Sequence, residues 1–154
     1  MTAQTALKAK AGGKLKLNNQ LCFAVYSALL GFNRVYRAAL KDLDLTYPQY
    51  LVMLVLWEKD GLSVSAICDQ LYLETTTLTP LLKRLEANGL VKRRRSPEDS
   101  RVVIVSLSEK GRALQAKAGP VADCVAGSLD LSLAEATDLR RKLTDLRASL
   151  FEFS

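Results

Sequence analysis

The sequence predicts a mostly α-helical protein with a small β-wing: a winged helix-turn-helix whose N- and C-terminal helices form a dimerisation domain. Three observations support this fold class. Two short helices and a third helix closed by glycine precede a β-hairpin, positive charge concentrates on that third helix and the hairpin, and long apolar helical patterns flank the unit. Because 154 residues suffice for one domain with a core, we expect a single domain over residues 1–154.

The N-terminal part of the chain is predicted to hold an arm and a long helix. Residues 1–15 are basic and polar and lack the apolar stretch of a secretory signal, so we expect a flexible basic arm. From about Leu15 to Leu43, apolar residues recur at three- and four-residue steps on several sides of a helix. In a chain this short, a second copy is the natural cover for such a helix. Residues 16–45 are therefore predicted to be dimerisation helices.

The central segment, residues 46–109, is predicted to be the winged helix-turn-helix. Thr46 caps a helix over about 48–59, and Ser63 caps a short helix of sequence VSAICDQL. The third helix has its cap among residues 74–76 and ends at a glycine. The segments LVKRR and RVVIVSL are typical of strands, and the turn sequence RSPEDS joins them into a hairpin.

The C-terminal part, residues 110–154, is predicted to complete the dimerisation domain. Ser108 caps a helix that begins at about Glu109, and Pro120 either kinks this helix or starts another segment. A last amphipathic helix runs over about 132–150 with a stripe of leucines along one side. Neither end of the chain has enough apolar partners of its own to form a separate core.

The distribution of charge points to a polyanionic partner. The chain carries 22 Lys and Arg against 16 Asp and Glu, a formal net charge of +6. Between Lys83 and Arg101, seven basic and three acidic residues supply +4 of this excess. A clustered basic patch is the electrostatic footprint of nucleic acid, although a solvated charged loop has the same composition.

Several classes of function are excluded by what the chain lacks. It has no histidine and no glycine-rich phosphate loop, and its three cysteines match no compact metal motif, so we expect no metal, no cofactor and no enzyme. No apolar run reaches the roughly 18 residues of a membrane span, so no membrane partner is expected. An odd number of cysteines without a signal peptide is typical of free thiols in a reducing compartment, the cytoplasm.

The third helix and the hairpin carry the candidate DNA-binding residues. In a helix-turn-helix, the N-terminal part of this helix meets base edges in the major groove, where threonine can hydrogen-bond and can pack its methyl on thymine. Basic residues further along suit phosphates, and hairpin arginines suit a narrow minor groove. The candidates are Thr75, Thr76, Thr77, Lys83, Arg84, Arg93, Arg94, Arg95 and Arg101. Each feature alone fits an ordinary helix start or a solvated hairpin, but their order along the chain favours DNA.

Three stretches together resemble the MarR family of regulators and, within it, the two-cysteine branch of the organic hydroperoxide resistance regulators (OhrR). They are LCFAVYSALL, LTYPQYLVMLVLWE and YLETTTLTPLLKRLEANGLVKRRRSPEDSRVVIVSLSEKG, and the resemblance covers about Asn19 to Leu150. The resemblance implies a homodimeric repressor in the bacterial cytoplasm that binds a palindromic operator in double-stranded DNA. It also implies release of that operator when an organic hydroperoxide oxidises the N-terminal cysteine.

The resemblance also assigns residues by position. Where the family usually has DER in the wing, this chain has DSR, which leaves Asp99 and Arg101 intact and changes only Ser100. The DNA contacts that it implies fall on Glu74, Thr75, Thr76, Thr77, Thr79, Lys83, Arg84 and Arg101. Asp99 joins this set as the neighbour of Arg101 in the wing motif.

Cys22 poses a separate question, because a free cysteine in an apolar helix is usually a small buried hydrophobe. Cys22 and Tyr36 lie 14 residues apart, about 21 Å along a straight helix, so they can meet only between two copies. The resemblance implies that Tyr36 and Tyr47 of the other subunit stabilise the peroxide-reactive Cys22 thiolate. It further implies that Cys124, in KAGPVADCV, is the resolving cysteine of an intersubunit disulfide.

Three other functions remain open on the sequence. In one, the chain is a MarR-type repressor gated by a small aromatic ligand, with Cys22 passive. In another it is a thiol peroxidase that uses Cys22, which the absence of histidine and of a peroxidase motif disfavours. In a third it is an architectural DNA-binding protein, which would show neither operator preference nor response to an oxidant.

Overall fold

A computed structural model describes residues 13–153, and ten helices and strands build it. The elements lie in the predicted order, with one strand and one helix more than the sequence indicated. They are α1 (Leu21–Ala39), α2 (Tyr47–Glu58), β1 (Leu62–Ser63), α3 (Val64–Leu71), α4 (Thr75–Ala87), β2 (Val91–Arg95), β3 (Val103–Leu107), α5 (Glu109–Leu114), α6 (Gly119–Gly127) and α7 (Leu133–Glu152).

Helix α1 is shorter than predicted at both ends. A 3-10 turn over Leu17–Asn19 precedes it, and the Asn19 side-chain amide donates to the Gly13 carbonyl at 2.9 Å, which folds the preceding segment back. At the other end, a second 3-10 turn over Lys41–Leu43 leads to Asp44, whose φ of 52° lies in the left-handed region. The predicted arm falls largely on residues 1–12, outside the described residues.

The next three helices begin where their capping residues predicted. The Thr46 hydroxyl accepts from the Gln49 backbone N–H, and the Gln49 side chain accepts from the Thr46 N–H, so α2 starts with a capping box. The Ser63 hydroxyl accepts from the Ala66 N–H at 3.1 Å and begins α3. A turn through Tyr72, with φ of 56°, then leads to α4.

The wing is part of a three-stranded antiparallel sheet of order β1-β3-β2, rather than an isolated hairpin. Strand β1 pairs Leu62 with Val105, and β2 pairs Arg93 with the same Val105 from the other side. The Ser96 N–H donates to the Val102 carbonyl at 2.7 Å and closes the tip. The winged helix-turn-helix predicted from the sequence is therefore present, with one short strand added at its edge.

A junction fastens the winged unit to the helices that follow it. The Asp60 carboxylate accepts from the Leu107 N–H at 2.8 Å and pairs with Arg112 at 2.8 Å, and the Trp57 indole donates to the Gly111 carbonyl at 2.9 Å. Past α5 and a 3-10 turn, Pro120 lies in the first turn of α6, so this proline starts a helix rather than kinking one.

The buried core belongs to the winged unit and the elements next to it. Its fully buried side chains include Met53, Leu56, Ile67, Leu78, Leu82, Leu85 and Val105. Within the described helices α1 and α7, by contrast, no residue is buried. Between these two helices lies an open apolar groove of about 580 Å³. No helix in the stretch from residue 13 to residue 153 is long and apolar enough to cross a membrane.

Candidate DNA interface and thiol site

Helix α4 presents a polar face to solvent at its N-terminal end. Leu78, Leu82 and Leu85 repeat at three- and four-residue steps and are buried, so the helix can lie on the core in only one orientation. That orientation leaves the predicted residues Glu74, Thr75, Thr76, Thr77, Lys83 and Arg84 exposed. The first turn of α4 therefore offers short hydroxyl side chains at the surface, as a recognition helix requires.

Two of the predicted α4 residues have neighbours that affect how freely their side chains could contact DNA. The Thr79 hydroxyl donates to the Thr75 carbonyl at 2.8 Å, so its proton is used within the helix. Arg84 lies beside Lys41 and Asp44, at the connection between α1 and α2. Arg84 therefore lies further from the first turn of α4 than the threonines do.

A shallow groove brings the recognition helix and the wing together. Thr75 and Thr79 line one side of it, and Arg93 and Arg101 line the other. Ser63 and Ser65, at the start of α3, complete the groove, with their hydroxyl oxygens 3.1 Å apart. Neither serine is among the candidate residues predicted from the sequence. They could have been considered, because the first helix of a helix-turn-helix crosses the DNA backbone and both lie at the start of that helix, α3.

The wing arginines differ in their partners. Arg93 donates from its backbone N–H, Nε and Nη2 to the Glu86 carboxylate at 3.1, 2.9 and 2.7 Å. These bonds hold the pKa of Glu86 below its usual range. Arg93 therefore fastens β2 to the end of α4, a role that its place in the basic run did not indicate.

At the wing tip, two arginines support the loop itself. Arg95 donates to the Ser100 carbonyl at 2.6 Å. Arg101 donates from Nε and Nη2 to Asp99 at 3.1 and 3.0 Å, and hydrogen bonding from Arg101 lowers the pKa of Asp99. The Arg101 side chain is still 89% exposed. Arg94 is exposed and points to the opposite face of β2, because successive strand residues alternate.

The three cysteines are free thiols in different surroundings. Cys22 is exposed in the first turn of α1, and Cys124 is exposed on α6. Cys68 is buried in α3, with its sulfur 3.8 Å from the Thr75 hydroxyl. Exposure makes Cys22 and Cys124 the two thiols that an oxidant in solution can reach. Within residues 13–153, no group of three Cys, Asp or Glu side chains is placed to hold a metal ion.

The predicted tyrosines form a cluster at the far end of α1. The rings of Tyr36 and Tyr47 stack with their centroids 4.1 Å apart, and Tyr50 lies 5.8 Å from Tyr36. Burial, followed by the neighbouring Tyr47 and Tyr50, raises the pKa of Tyr36 to about 12, and burial also raises the pKa of Tyr47. Both phenols thus stay protonated at physiological pH and can donate a hydrogen bond.

Cys22 and the tyrosine cluster do not meet within one protomer. Cys22 and Tyr36 both lie on α1, which is continuous from Leu21 to Ala39, so about 21 Å of helix separates them, and Tyr47 and Tyr50 follow on α2. Between Cys22 and Tyr36, α1 exposes Val25, Leu29 and Phe32. A second α1 laid antiparallel along this apolar surface would bring each Cys22 toward the tyrosine end of the other helix.

Sequence comparison finds relatives among transcriptional regulators. Residues 34–117 match the family model described as transcriptional regulator SarA/Rot. The chain is 51% identical over 134 residues to the HTH-type transcriptional regulator TtmR of Methylorubrum extorquens (strain PA1), covering 87% of this chain and 67% of that protein. It is 41% identical over 138 residues to the organic hydroperoxide resistance transcriptional regulator of Bacillus subtilis (strain 168), covering 90% and 94%. These relatives are named as regulators and not as enzymes, which confirms the expectation that this chain is not an enzyme.

Structural comparison finds similarity to AbfR of Staphylococcus epidermidis, including AbfR bound to DNA. Reduced AbfR bound to DNA matches with a TM-score of 0.78 at 36% identity, over 89% of this chain and 94% of that chain. Disulfide-formed AbfR matches with a TM-score of 0.61 at 34% identity, over 92% and 94%. Overoxidized AbfR bound to DNA also matches with a TM-score of 0.78, so the described conformation is closer to DNA-bound AbfR than to its disulfide form. The predicted fold class is confirmed.

Proposed function

Since this chain belongs to the MarR and SarA/Rot family of winged-helix transcriptional regulators, we propose that it is a redox-sensing repressor. It binds a palindromic operator as a reduced homodimer, and oxidation of Cys22 by an organic hydroperoxide releases it. Cys124 of the other subunit completes the switch by forming a disulfide with Cys22.

One observation carries this proposal: the exposed Cys22 and the Tyr36–Tyr47 stack lie at opposite ends of one exposed apolar helix. An exposed apolar surface of this length needs a cover, and a second α1 is self-complementary to it in a two-fold dimer. The same antiparallel pairing delivers two phenol donors to each thiol. The thiolate is the form that attacks a peroxide, and hydroxyl donors stabilise it.

The chemistry needs only the oxidant and two thiols. The Cys22 thiolate attacks the distal oxygen of the hydroperoxide, the O–O bond breaks, and the alkoxide leaves and takes up a proton to become an alcohol. Cys22 is now a sulfenic acid. The Cys124 sulfur then attacks the Cys22 sulfur, and the hydroxyl leaves as water when it takes the Cys124 proton. The sulfurs have lost two electrons and the peroxide has gained them.

Disulfide formation affects DNA binding through geometry. A disulfide draws its two Cα atoms to about 5.5–6 Å, so closure between subunits moves α1 of one copy against α6 of the other. The junction at Asp60, Trp57 and Arg112 fastens the winged unit to the start of these C-terminal helices. The two winged units then move with the helices, and the half-site spacing no longer fits the operator.

The test uses a duplex that the reduced wild-type protein selects from a random-sequence pool. After addition of about one equivalent of tert-butyl hydroperoxide, we expect a dithiothreitol-reversible dimer band on a non-reducing gel and loss of binding to that duplex. Both should disappear in Cys22→Ser and in Cys124→Ser. The matched control is Cys68→Ser, which should behave as wild type because Cys68 is buried.

Mixing the Cys22→Ser and Cys124→Ser proteins sharpens the test. Each mixed dimer holds one intact Cys22 and one intact Cys124 on different subunits, so an intersubunit pair predicts that crosslinking returns. If crosslinking does not return in mixed dimers, the disulfide partner is wrong. If the wild type keeps Cys22 free after oxidant and still binds the duplex, the redox function is wrong.

A second candidate function, a repressor gated by a small aromatic ligand, is supported by one cavity. It has a volume of about 290 Å³, lies between α1 and the start of α2, and is lined by Asn33, Arg37, Thr46 and Tyr47. The Arg37 guanidinium suits a carboxylate, and the Tyr47 ring suits an aromatic face. Release of the selected duplex from the Cys22→Ser protein by salicylate would favour this function over the thiol switch.

A further inference from the structure

The end of helix α7 contacts the turn of the helix-turn-helix. The Arg147 guanidinium carbon lies 4.2 Å from the centroid of the Tyr72 ring. The Phe151 ring lies 5.1 Å from the same ring, tilted by 54°. Arg147 and Phe151 are one helical turn apart, so they cover Tyr72 together from one side of α7. This cluster of three side chains is named the Tyr72 contact below.

Tyr72 holds this position at a conformational cost. Its φ of 56° places it in the left-handed region, which glycine adopts freely and a bulky aromatic residue does not. Helices commonly end on such a residue, and glycine is the usual choice there. The helix end therefore does not require a tyrosine at this site. The ring is instead explained by what it touches, namely a cation over its face and a second ring at its edge.

The location of Tyr72 connects the contact to the DNA-reading helix. It closes α3 and stands three residues before Thr75, the first residue of the recognition helix α4. The Leu73 N–H donates to the Cys68 carbonyl at 3.1 Å, so the turn is hydrogen-bonded from Cys68 onward. A force applied at the Tyr72 ring thus acts on the backbone that leads directly into the DNA-reading helix.

Helix α7 links that turn to the apolar groove. Arg147 lines the groove as well as covering Tyr72, together with Leu139 and Leu143 from the same helix and Val25 and Phe32 from α1. Helix α7 starts with a capping box between Ser132 and Glu135 and is continuous to Glu152, so one unbroken helix runs from the groove to the turn. A change in how α7 packs against α1 would therefore shift the residues of α7 that contact the Tyr72 ring.

We propose that Arg147 and Phe151 are positioning residues for DNA binding, and that they act by holding Tyr72 and, through it, the start of α4. The proposal rests on the proposed function in that it takes sequence-selective DNA binding by the reduced protein as the activity. We therefore expect that breaking the Tyr72 contact weakens DNA binding by the reduced protein, in which all three cysteines are free.

The test compares variants on the duplex selected by the reduced wild-type protein. Tyr72→Gly removes the ring and keeps the left-handed turn, and we expect it to weaken binding about threefold to tenfold. Arg147→Ala should weaken it about twofold to fivefold. Tyr72→Phe keeps the ring and should bind as wild type. The matched control is Arg141→Ala, because Arg141 lies on the same helix and pairs with Asp138 instead.

Three outcomes would overturn the proposal. If the losses in Tyr72→Gly and Arg147→Ala multiply in the double variant, the residues act separately rather than through one contact. If Arg147→Ala reduces the slope of log affinity against log salt by about one, Arg147 contacts a phosphate directly. If Arg147→Ala binds as wild type, the contact does not position α4.

A measurement without DNA separates this proposal from the proposed function. Amide hydrogen exchange at Leu73, whose N–H donates to Cys68, should be faster in Arg147→Ala than in wild type and unchanged in Arg141→Ala. Unchanged exchange in Arg147→Ala would overturn the proposal even where its DNA binding is weakened. Faster exchange in a protein whose wild type selects no duplex sequence would support the contact and would count against the repressor function.

Discussion

The winged helix-turn-helix and the two long helices that flank it differ most in how their leucines are used. Leu78 of α4 is 0% exposed and packs into a core shared by α2, α3, α4 and the sheet. Leu29 of α1 is 49% exposed, and Leu139 and Leu143 of α7 are similarly open. The winged unit therefore completes its core within one chain, whereas α1 and α7 present an exposed apolar surface, which in the proposed dimer a second chain covers. This difference suits the proposed function, because a rigid unit reads DNA while a helical domain can change its packing.

The largest expected effect follows from removing a leucine from each part. We expect Leu78→Ala to lower the free energy of unfolding by about 2–5 kcal/mol, because it leaves a cavity in a closed core. Leu29→Ala should leave the unfolding of the winged unit almost unchanged and should weaken self-association. Denaturant unfolding and sedimentation over a range of protein concentrations measure the two effects. If Leu29→Ala unfolds the winged unit as readily as Leu78→Ala, the two parts are not separable.

A matched pair of glycines gives the next largest effect. A Cβ added at Gly111 would lie 2.1 Å from the Leu90 carbonyl oxygen, whereas a Cβ at Gly31 in α1 meets nothing within 4 Å in the protomer. We expect Gly111→Ala to destabilise the protein by about 1–3 kcal/mol, because the backbone at Leu90 and the side chain of Leu107 must shift to admit the methyl group.

The companion change, Gly31→Ala, should stabilise the protein by about 0.5–1 kcal/mol, because alanine is the better helix former. Thermal melting of both variants checks the pair. A Gly31→Ala protein that loses self-association while keeping its protomer fold would instead show that a second α1 packs directly on Gly31.

A smaller effect tests how the wing is held against α4 within the winged unit. Arg93 is bound to Glu86, so we expect it to position the wing rather than to contact a phosphate. Glu86→Gln should weaken binding to the selected duplex about twofold to fivefold without changing its salt dependence. Exchanging the pair, with Glu86→Arg and Arg93→Glu together, should recover most of that loss. Fluorescence anisotropy over a salt series distinguishes the two roles of Arg93. If Arg93 contacts a phosphate directly, the exchanged pair should not recover binding, and its slope of log affinity against log salt should be shallower than that of the wild type.

The elements that the sequence predicted well are those whose signals are local. Thr46 and Ser63 begin helices through bonds to backbone groups three residues away, and the leucine spacing of α4 sets which face it buries. The two-residue strand β1 was missed because it exists only through its pairing with Val105 in β3. The early end of α1 was missed because the chain continues from Leu40 into a 3-10 turn over Lys41–Leu43, whose apolar spacing in the sequence resembles that of a continuing helix.

The same division holds for the candidate sites. Exposure of the α4 threonines followed from helical periodicity, as predicted. The role of Arg93 did not, because its partner Glu86 lies on another element, and in the sequence Arg93 is one of four consecutive basic residues. The stack of Tyr36 on Tyr47 joins two helices across a turn, so the spacing of residues within either helix does not predict it.

The smallest effect concerns the tyrosine cluster where the two parts meet. The pKa of Tyr36 is raised to about 12, mainly by burial, above the value near 10 of an unfolded chain. A raised pKa means that the folded state keeps the phenol proton longer. This contribution to stability is therefore complete below pH 10 and is lost as the pH rises from 10 toward 12. We expect Tyr36→Phe to flatten the alkaline fall in stability between these values. Urea unfolding at several pH values, with tyrosinate absorbance followed in parallel, measures this. An unchanged profile in Tyr36→Phe would mean that the Tyr36 hydroxyl is open to water in the folded protein.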